Sequence, residues 1–262
     1  MPAKTYQRLK NGLERVELKF GDVLYQPGDI VRHIYFPNDS LLSLLVSVEG
    51  KGALEVGMVG REGMVGVPLA LGRPASPVRV LVQGGGSAMR MSGTRLAREL
   101  KKNGGLKREL DRCVYVSMTT AMQIAACNQS HVLAQRLARW LLMVRDRVGS
   151  SEFRLTQEFL ARMLGVRRAG VNDAASSLQR RKLISYSRGK IKILNLEGVR
   201  AASCACYEVI RKLESATPRE PAAARAPWSG IPSQPAASAS LSNSFALTPA
   251  IERSRCALRY LA

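Results

Sequence analysis

"LTQEFLARMLGVRRAGVNDAASSLQRRKLISYSRGKIKI", Leu155 to Ile193, is the stretch on which the reading of the chain turns. Thr156 stands before an apolar-periodic run containing Phe159, Leu160 and Met163. Its hydroxyl suits a helix N-cap, where it accepts a free first-turn amide. Leu164-Gly165-Val166 interrupts the period, and Gly165 tolerates the positive φ of a helix-to-helix corner. A second helix is expected from Arg167 or Arg168, burying Val171, Ala174, Ala175 and Leu178. Two short helices about a glycine corner make a helix-turn-helix. "LISYSRGKIKI" then reads as two short strands around Arg188-Gly189, a hairpin wing.

Charge says what such a unit grips. The 262 residues carry a formal net charge of +20. Residues 131–212 hold 17 Lys/Arg against 6 Asp/Glu, a surplus of 11 in under a third of the chain. That concentration implies an anionic partner, and double-stranded DNA is the one a helix-turn-helix fits. Arg168, in the first turn of the second helix, is the candidate for two-pronged contact with guanine O6 and N7, and Asn172 can read adenine one turn on. Asp173 must accept from cytosine N4 or orient an arginine. Thr156, Gln157, Arg167, Gln179, Arg180, Arg188 and Lys190 complete the expected DNA contacts, with Arg181, Lys182 and Lys192 beside them suited to backbone phosphate.

Working outward, "HVLAQRLARWLLMVRDRVG" is an amphipathic helix with Leu133, Leu137, Trp140, Leu141 and Val144 on one face. Before it, Leu106, Leu110, Cys113, Ser117, Thr120, Ile124 and Cys127 alternate at spacings of four and three, the seam of a long helix over 104–127. The seam reads as a dimerisation face, a plain buried helix being the alternative; Val114, Met118, Ala121 and Ala125 form a second stripe. Asn128 to Ser130 are expected to break this helix. Residues 16–100 read as many short strands, among them "SLLSLLVSV", "ALEVGMVG" and "VRVLVQ", with turns at Gly21-Asp22 and Pro27-Gly28-Asp29. Without crossover helices a sandwich or barrel is expected. From 215 to 262 the chain turns Ala-, Pro- and Ser-rich and is expected not to fold over most of its length.

With these residues in place, the chain resembles the Crp/Fnr family of bacterial transcription regulators over about residues 15–212. The family's winged helix-turn-helix carries T-x-x-x-x-A/G-x-x-x-G-x-x-R-x-x-V-x-x-x-L-x-x-L, and Thr156, Ala161, Gly165, Arg168 and Val171 fall on its steps. The resemblance implies an α+β fold: a cyclic-nucleotide-binding-like sensor β-roll (double-stranded β-helix or jelly-roll type) over 15–100, a long dimerisation helix over 104–127, and a winged helix-turn-helix over 130–212. It further implies a homodimer reading half-sites about one helical turn apart, with RNA polymerase as a partner.

The effector cassette of cyclic-AMP-binding relatives, G-E-x-[AG]-L … R-[ST]-A, is degenerate in "VGVPLALGRPASPVRV", which includes Gly66, Val67, Leu69, Arg73, Ser76 and Arg79. Val67 stands where the ribose-binding Glu belongs. Pro74 stands at the phosphate-binding Arg, or Arg73 if the alignment moves by one residue. Pro74 and Pro77 bring no amide protons to a phosphate cradle. Cyclic AMP is therefore not the expected effector; the β-roll is expected either to sense an unidentified ligand or to serve as a structural dimerisation element.

Other sensor chemistry finds little support in the sequence. Cys113, Cys127, Cys204, Cys206 and Cys256 show no grouping for an iron–sulfur cluster, Cys204-Ala-Cys206 having no partner pair. Haem would have to use His33 or His131, for which surface or capping roles are expected. A symmetric disulfide through Cys113 or Cys127 is weighed against plain packing, which is favoured. No metal or other cofactor is expected. An enzyme would need convergent acid, base or nucleophile groups, and the sequence offers no such motif. No apolar run reaches membrane-spanning length, the N-terminus lacks a signal-peptide pattern, and an odd number of cysteines suits a reducing compartment, so a cytoplasmic protein without membrane association is expected. The competing reading is a ligand-binding regulatory module whose basic half contacts a protein or a membrane.

Overall fold

The computed structural model describes residue 7 and residues 9–49, 52–102 and 104–215. The expected tail beyond Ser215, with Cys256, lies outside them. The N-terminal half is built of two antiparallel sheets. One has strand order β1 (Glu14–Leu18), β7 (Gly86–Ser92), β3 (His33–Pro37); the other runs β2 (Val23–Tyr25), β6 (Arg79–Gly84), β4 (Leu41–Val48), β5 (Gly52–Val59). Alternating side chains explain the sandwich, because each strand turns one face inward. Leu18, Tyr35 and Ala88 from the first sheet meet Tyr25, Leu42, Val59, Val80 and Val82 from the second. The sheets stay open at their edges and form a β-roll. The turn signals act as read: Asp22 Oδ2 accepts from Lys19 N at 3.0 Å, and Asp29 Oδ2 accepts from Gln26 N at 2.7 Å, each beside a glycine at φ 89°.

Three local expectations are corrected. The strand-rich reading of 16–100 hides two helices, α1 (Val67–Ala70) and α2 (Gly93–Lys102). Leu96 of α2 buries against the first sheet, so the helix is selected by an apolar site that a strand could not fill. The long helix α3 runs Gly104–Ser130 without a break at Asn128. Asn128 to Ser130 carry no residue that forbids helix, and packing of Cys127 and Ile124 carries the helix through them. The third correction concerns the dimer seam. Leu106, Leu110 and Cys113 pack under the β-roll with Ile34, Phe36, Met64 and Met91, Thr120 is buried, and Ile124 is packed against the C-terminal core. Of the seam residues that far along the helix, Ser117 alone is exposed. The 3/4 spacing marked a buried stripe, as the plain buried-helix alternative has it: its first part meets this chain's own β-roll, and Ile124 and Cys127 meet the C-terminal half. The open face instead presents Tyr115, Met118 and Met122, which are 56%, 49% and 61% exposed.

The C-terminal half opens with α4 (Leu133–Val148), whose Leu137, Trp140, Leu141 and Val144 lie at the centre of its core. Helix α6 (Arg168–Arg180) packs on it, and α5 (Gln157–Leu164) packs on α6 and on β5. A small antiparallel sheet follows, in the order β8 (Glu152–Arg154), β10 (Lys190–Ile193), β9 (Ile184–Ser187). The expected hairpin thus gains a third strand, too short for its period to be read. Helices α7 (Leu196–Ala202) and α8 (Cys206–Ser215) close the fold. Leu41, Leu45 and Met58 of the β-roll belong to the same core as Trp140, so the halves are packed together.

Candidate nucleic-acid interface

Thr156 caps α5 as its sequence position implies, its Oγ1 accepting from Phe159 N at 3.1 Å. Gly165 closes the helix at φ 64°, ψ 39°. The corner favours glycine for its left-handed dihedral; a Cβ there would also meet the end of the Leu54 side chain of β5, at 2.5 Å from Cδ1. Arg167, in extended conformation, precedes the first turn of α6, and Val171, Ala174, Ala175 and Leu178 bury the inner face of that helix. These buried positions leave Arg168, Asn172, Asp173, Gln179 and Arg180 exposed on the outer face.

A polar chain organises that face. Gln157 Oε1 accepts from Arg168 Nε at 3.2 Å, and Gln157 Nε2 donates to Asn172 Oδ1 at 3.1 Å. One glutamine at the start of α5 therefore holds both candidate reading side chains. The terminal nitrogens of Arg168 stay available to two acceptors, as bidentate contact with guanine requires. Asn172 keeps its amide donor and a second lone pair for an adenine edge. Gln179 is drawn to the wing, its Nε2 donating to Tyr186 O at 3.3 Å, and Tyr186 Oη donates to Leu155 O at 2.9 Å. Asp173 makes no ion pair among the described residues.

Arg188 and Gly189 form the wing tip at φ 49° and 74°, a two-residue hairpin turn with both central residues left-handed. Arg188 is exposed there. Lys190 is less free than its sequence suggests, because its Nζ lies 2.7 Å from Glu152 Oε1 across the β8–β10 pair. That partner holds the Glu152 carboxyl below its usual range. Between α6 and the wing lies a cleft of about 570 Å³ lined by Gln157, Arg168, Asn172, Tyr186 and Arg188.

The sensor cassette makes several bonds with its surroundings. Gly66 adopts φ 105° as it leads into α1, and Val67 and Leu69 pack against neighbouring apolar clusters. Arg73 N donates to Pro68 O at 2.8 Å, Ser76 N to Asp29 O at 2.9 Å and Ser76 Oγ to Val78 O at 2.8 Å. The Arg73 and Ser76 amides and the Ser76 hydroxyl are thus already bonded to backbone carbonyls. The Arg73 side chain is exposed, and Arg79 is half-buried in β6. Between the β-roll and α3 lies a cavity of about 130 Å³, lined by Val56, Met58, Val116 and Thr120 among others. That is below the few hundred cubic ångströms usual for a drug-sized ligand.

One grouping lay beyond the sequence reading. Cys127, His131, Cys204 and Cys206 converge, their four ligand-type atoms all within 4.8 Å of one another. This overturns the expectation that the cysteines lack a grouping and that Cys204-Ala-Cys206 lacks a partner pair. The only sequence signal was the i, i+4 spacing of Cys127 and His131. Cys113 stands apart under the β-roll.

Residues 135–202 match the model of the Crp-like helix-turn-helix domain. No curated protein matches the chain in sequence. Among solved structures, the chain is similar to a putative Crp/Fnr-family transcriptional regulator from Eubacterium rectale, at 16% identity and TM-score 0.61 over 77% of this chain and 94% of that one. It is similar to a CRP-family transcriptional regulator from Thermus thermophilus, at 17% identity and TM-score 0.60 over 72% and 96%. A third is the c-di-GMP responsive global regulator CLP of Xanthomonas campestris, at 17% identity and TM-score 0.57 over 73% and 99%. The fold is that of Crp/Fnr-type regulators, with a cyclic-nucleotide-binding-like β-roll and a Crp-like helix-turn-helix.

Proposed function

We propose that the protein is a DNA-binding transcription regulator that acts as a homodimer on a palindromic site. The observation that carries this is the Gln157 bridge, which sets Arg168 and Asn172 side by side on the exposed first turns of α6. A helix of this kind enters the major groove by its N-terminal residues, and a dimer reads two half-sites about one helical turn apart. Arg167, Arg180 and Arg188 serve backbone phosphate around that centre. In the dimer, Tyr115, Met118 and Met122 meet the same residues of a second copy, replacing the expected seam. RNA polymerase is the partner that the family resemblance supplies. No helix among the described residues is long and apolar enough to cross a membrane. Regulation without catalysis, in the cytoplasm, is the reading that agrees with the domain match.

Selection of bound DNA from a random pool, followed by gel shifts across a salt series, tests the proposal. A single palindromic operator that outlasts competitor DNA as salt rises is expected; equal loss of all DNA would leave only a basic surface. Arg168→Ala should weaken operator binding by about 1–3 kcal/mol and relax base preference at one position per half-site. Arg188→Ala should weaken operator and competitor alike. Unchanged affinity and preference in the Arg168 variant would misplace the reading helix.

The β-roll, in this proposal, does not take cyclic AMP; it either senses another ligand or serves as a structural dimerisation element. Val67, the two prolines and the bonded amides of the cassette support the exclusion of cyclic AMP. Isothermal titration with cyclic AMP should give no measurable heat of binding at micromolar concentration, and a micromolar or tighter dissociation constant would refute it.

A further inference from the structure

We propose that Cys127, His131, Cys204 and Cys206 form a tetrahedral binding site for one zinc ion at the joint between the long helix and the DNA-binding half. Cys127 and His131 lie one helical turn apart at the end of α3, where His131 N still donates to Cys127 O at 3.1 Å. Cys204 comes from the link between α7 and α8, and Cys206 opens α8. The three thiols are buried and the imidazole is half-buried.

Distances decide the nature of the group. Cys127 Sγ lies 3.4 Å from Cys204 Sγ, and Cys206 Sγ lies 3.7 Å from His131 Nδ1. Zinc binds sulfur at about 2.3 Å and imidazole at about 2.0–2.1 Å, so the edges of its tetrahedron run about 3.4–3.8 Å. Ligands this close surround one ion; an iron–sulfur cluster would hold them wider apart. Three soft sulfurs and one imidazole in a tetrahedron select zinc over oxygen-seeking cations.

The surroundings supply two further observations. Gln123 Nε2 donates to Cys206 Sγ at 3.1 Å, a contact of the kind that orients a thiolate ligand. Arg136 and Arg139 are buried beside the cluster, Arg136 Nη2 donating to Leu164 O at 2.6 Å and Arg139 Nη1 to Met143 Sδ at 3.1 Å. Arg139 acts electrostatically on both Cys127 and Cys204. Arg139 also faces the Glu55 carboxyl, and a further negative charge beside two buried guanidinium groups is favourable. Zinc binding releases the three thiol protons to solvent, and the resulting zinc–tris-thiolate–imidazole unit carries one negative charge. The ion would therefore both set a negative charge beside the arginines and pin α8 to the last turn of α3, across the His131-Val132 link into α4.

The test uses the full-length chain, purified under reducing conditions without chelator. Elemental analysis should find one zinc per protomer. After chelator treatment, titration with cobalt(II) should give the intense visible bands of a tetrahedral site and a near-ultraviolet thiolate charge-transfer band, saturating at one equivalent and bleached by zinc. Cys204→Ser and Cys206→Ser should each lose the intense bands, His131→Ala should weaken binding at least tenfold, and Cys113→Ser should bind as the unsubstituted chain does. Cys206→His, which keeps four ligands, should retain tetrahedral cobalt with a shifted spectrum, so that a serine variant failing to fold does not decide the matter. Cobalt that stays octahedral, full binding by both serine variants, an iron–sulfide chromophore, or a Cys127–Cys204 disulfide that takes up no metal after reduction would each overturn the assignment.

Discussion

Replacing Arg147 with methionine is expected to destabilise the protein by about 3–5 kcal/mol. Its guanidinium is buried, 4% exposed, where α4, α8 and the turn after β5 meet. Nε stands 2.8 Å from Glu62 Oε1, and Nη2 donates to Glu214 Oε1 at 2.5 Å. Nη1 donates to Met143 O at 3.1 Å within its own helix. The neighbouring carboxylates hold the guanidinium's pKa above its ordinary value despite the burial. Methionine fills much of the volume but leaves Glu62 and Glu214 facing each other without a cation. An uncompensated buried charge is the costly outcome, more so than loss of the pair itself. The triple substitution Arg147→Met, Glu62→Gln, Glu214→Gln should recover most of the loss. Guanidinium denaturation of the three proteins measures this, and a single-variant cost below about 1 kcal/mol would reduce the trio to a surface-type pair. The same packing explains Gly60, where a Cβ would fall 2.7 Å from Arg147 Cβ.

Glu55→Gln is expected to stabilise the protein by about 3 kcal/mol at pH 8 and hardly at all near pH 4.5. Glu55, on β5, is fully enclosed; burial pushes its carboxyl up from 4.5 to about 7. Its Oε1 accepts from Trp140 Nε1 at 2.8 Å and its Oε2 from Ser43 Oγ at 2.8 Å, but these bonds only partly offset the desolvation. A carboxyl whose folded pKa lies above its unfolded value binds its proton more tightly when folded. Below the unfolded value both states are protonated and the group costs nothing. As pH rises towards the folded value of about 7 the cost grows, and above it the cost is constant. A raise of about 2.5 units corresponds to about 3 kcal/mol. Glutamine never ionises, yet its carbonyl can accept from Trp140 and its amide can donate to Ser43. The difference in unfolding free energy between the two proteins, measured at pH 4.5 and pH 8, isolates this group. An equal difference at both pH values would mean that the Glu55 carboxyl titrates in the fold as it does in the unfolded chain.

Much of the C-terminal half was legible in its residues. Thr156 caps because its hydroxyl acts three residues away, and Gly165 turns because only local sterics decide φ. The buried stripe of α6 and the Arg188-Gly189 turn are equally local. The β-roll's turns at Asp22 and Asp29 belong to the same class. The candidate site was less completely legible. Arg168 and Asn172 could be named from position, but that Gln157 ties them together depends on how α5 crosses α6. That Lys190 pairs with Glu152 was not legible, because Glu152 lies on a strand of three residues.

The sequence by itself therefore determined what is set within a turn or two of chain: caps, corners, periodic faces, and the concentration of positive charge on the C-terminal half. Tertiary structure alone decided which partner each apolar stripe meets. Leu106, Leu110 and Cys113 lie under the chain's own β-roll and leave Tyr115, Met118 and Met122 outward. It also decided that Cys127 meets Cys204, 77 positions away, and that Trp140 reaches Glu55, 85 positions away. The physical reason is range. Hydrogen-bonded caps and steric limits on φ act between near neighbours, whereas burial of apolar surface is non-directional and names no partner until the whole core is packed.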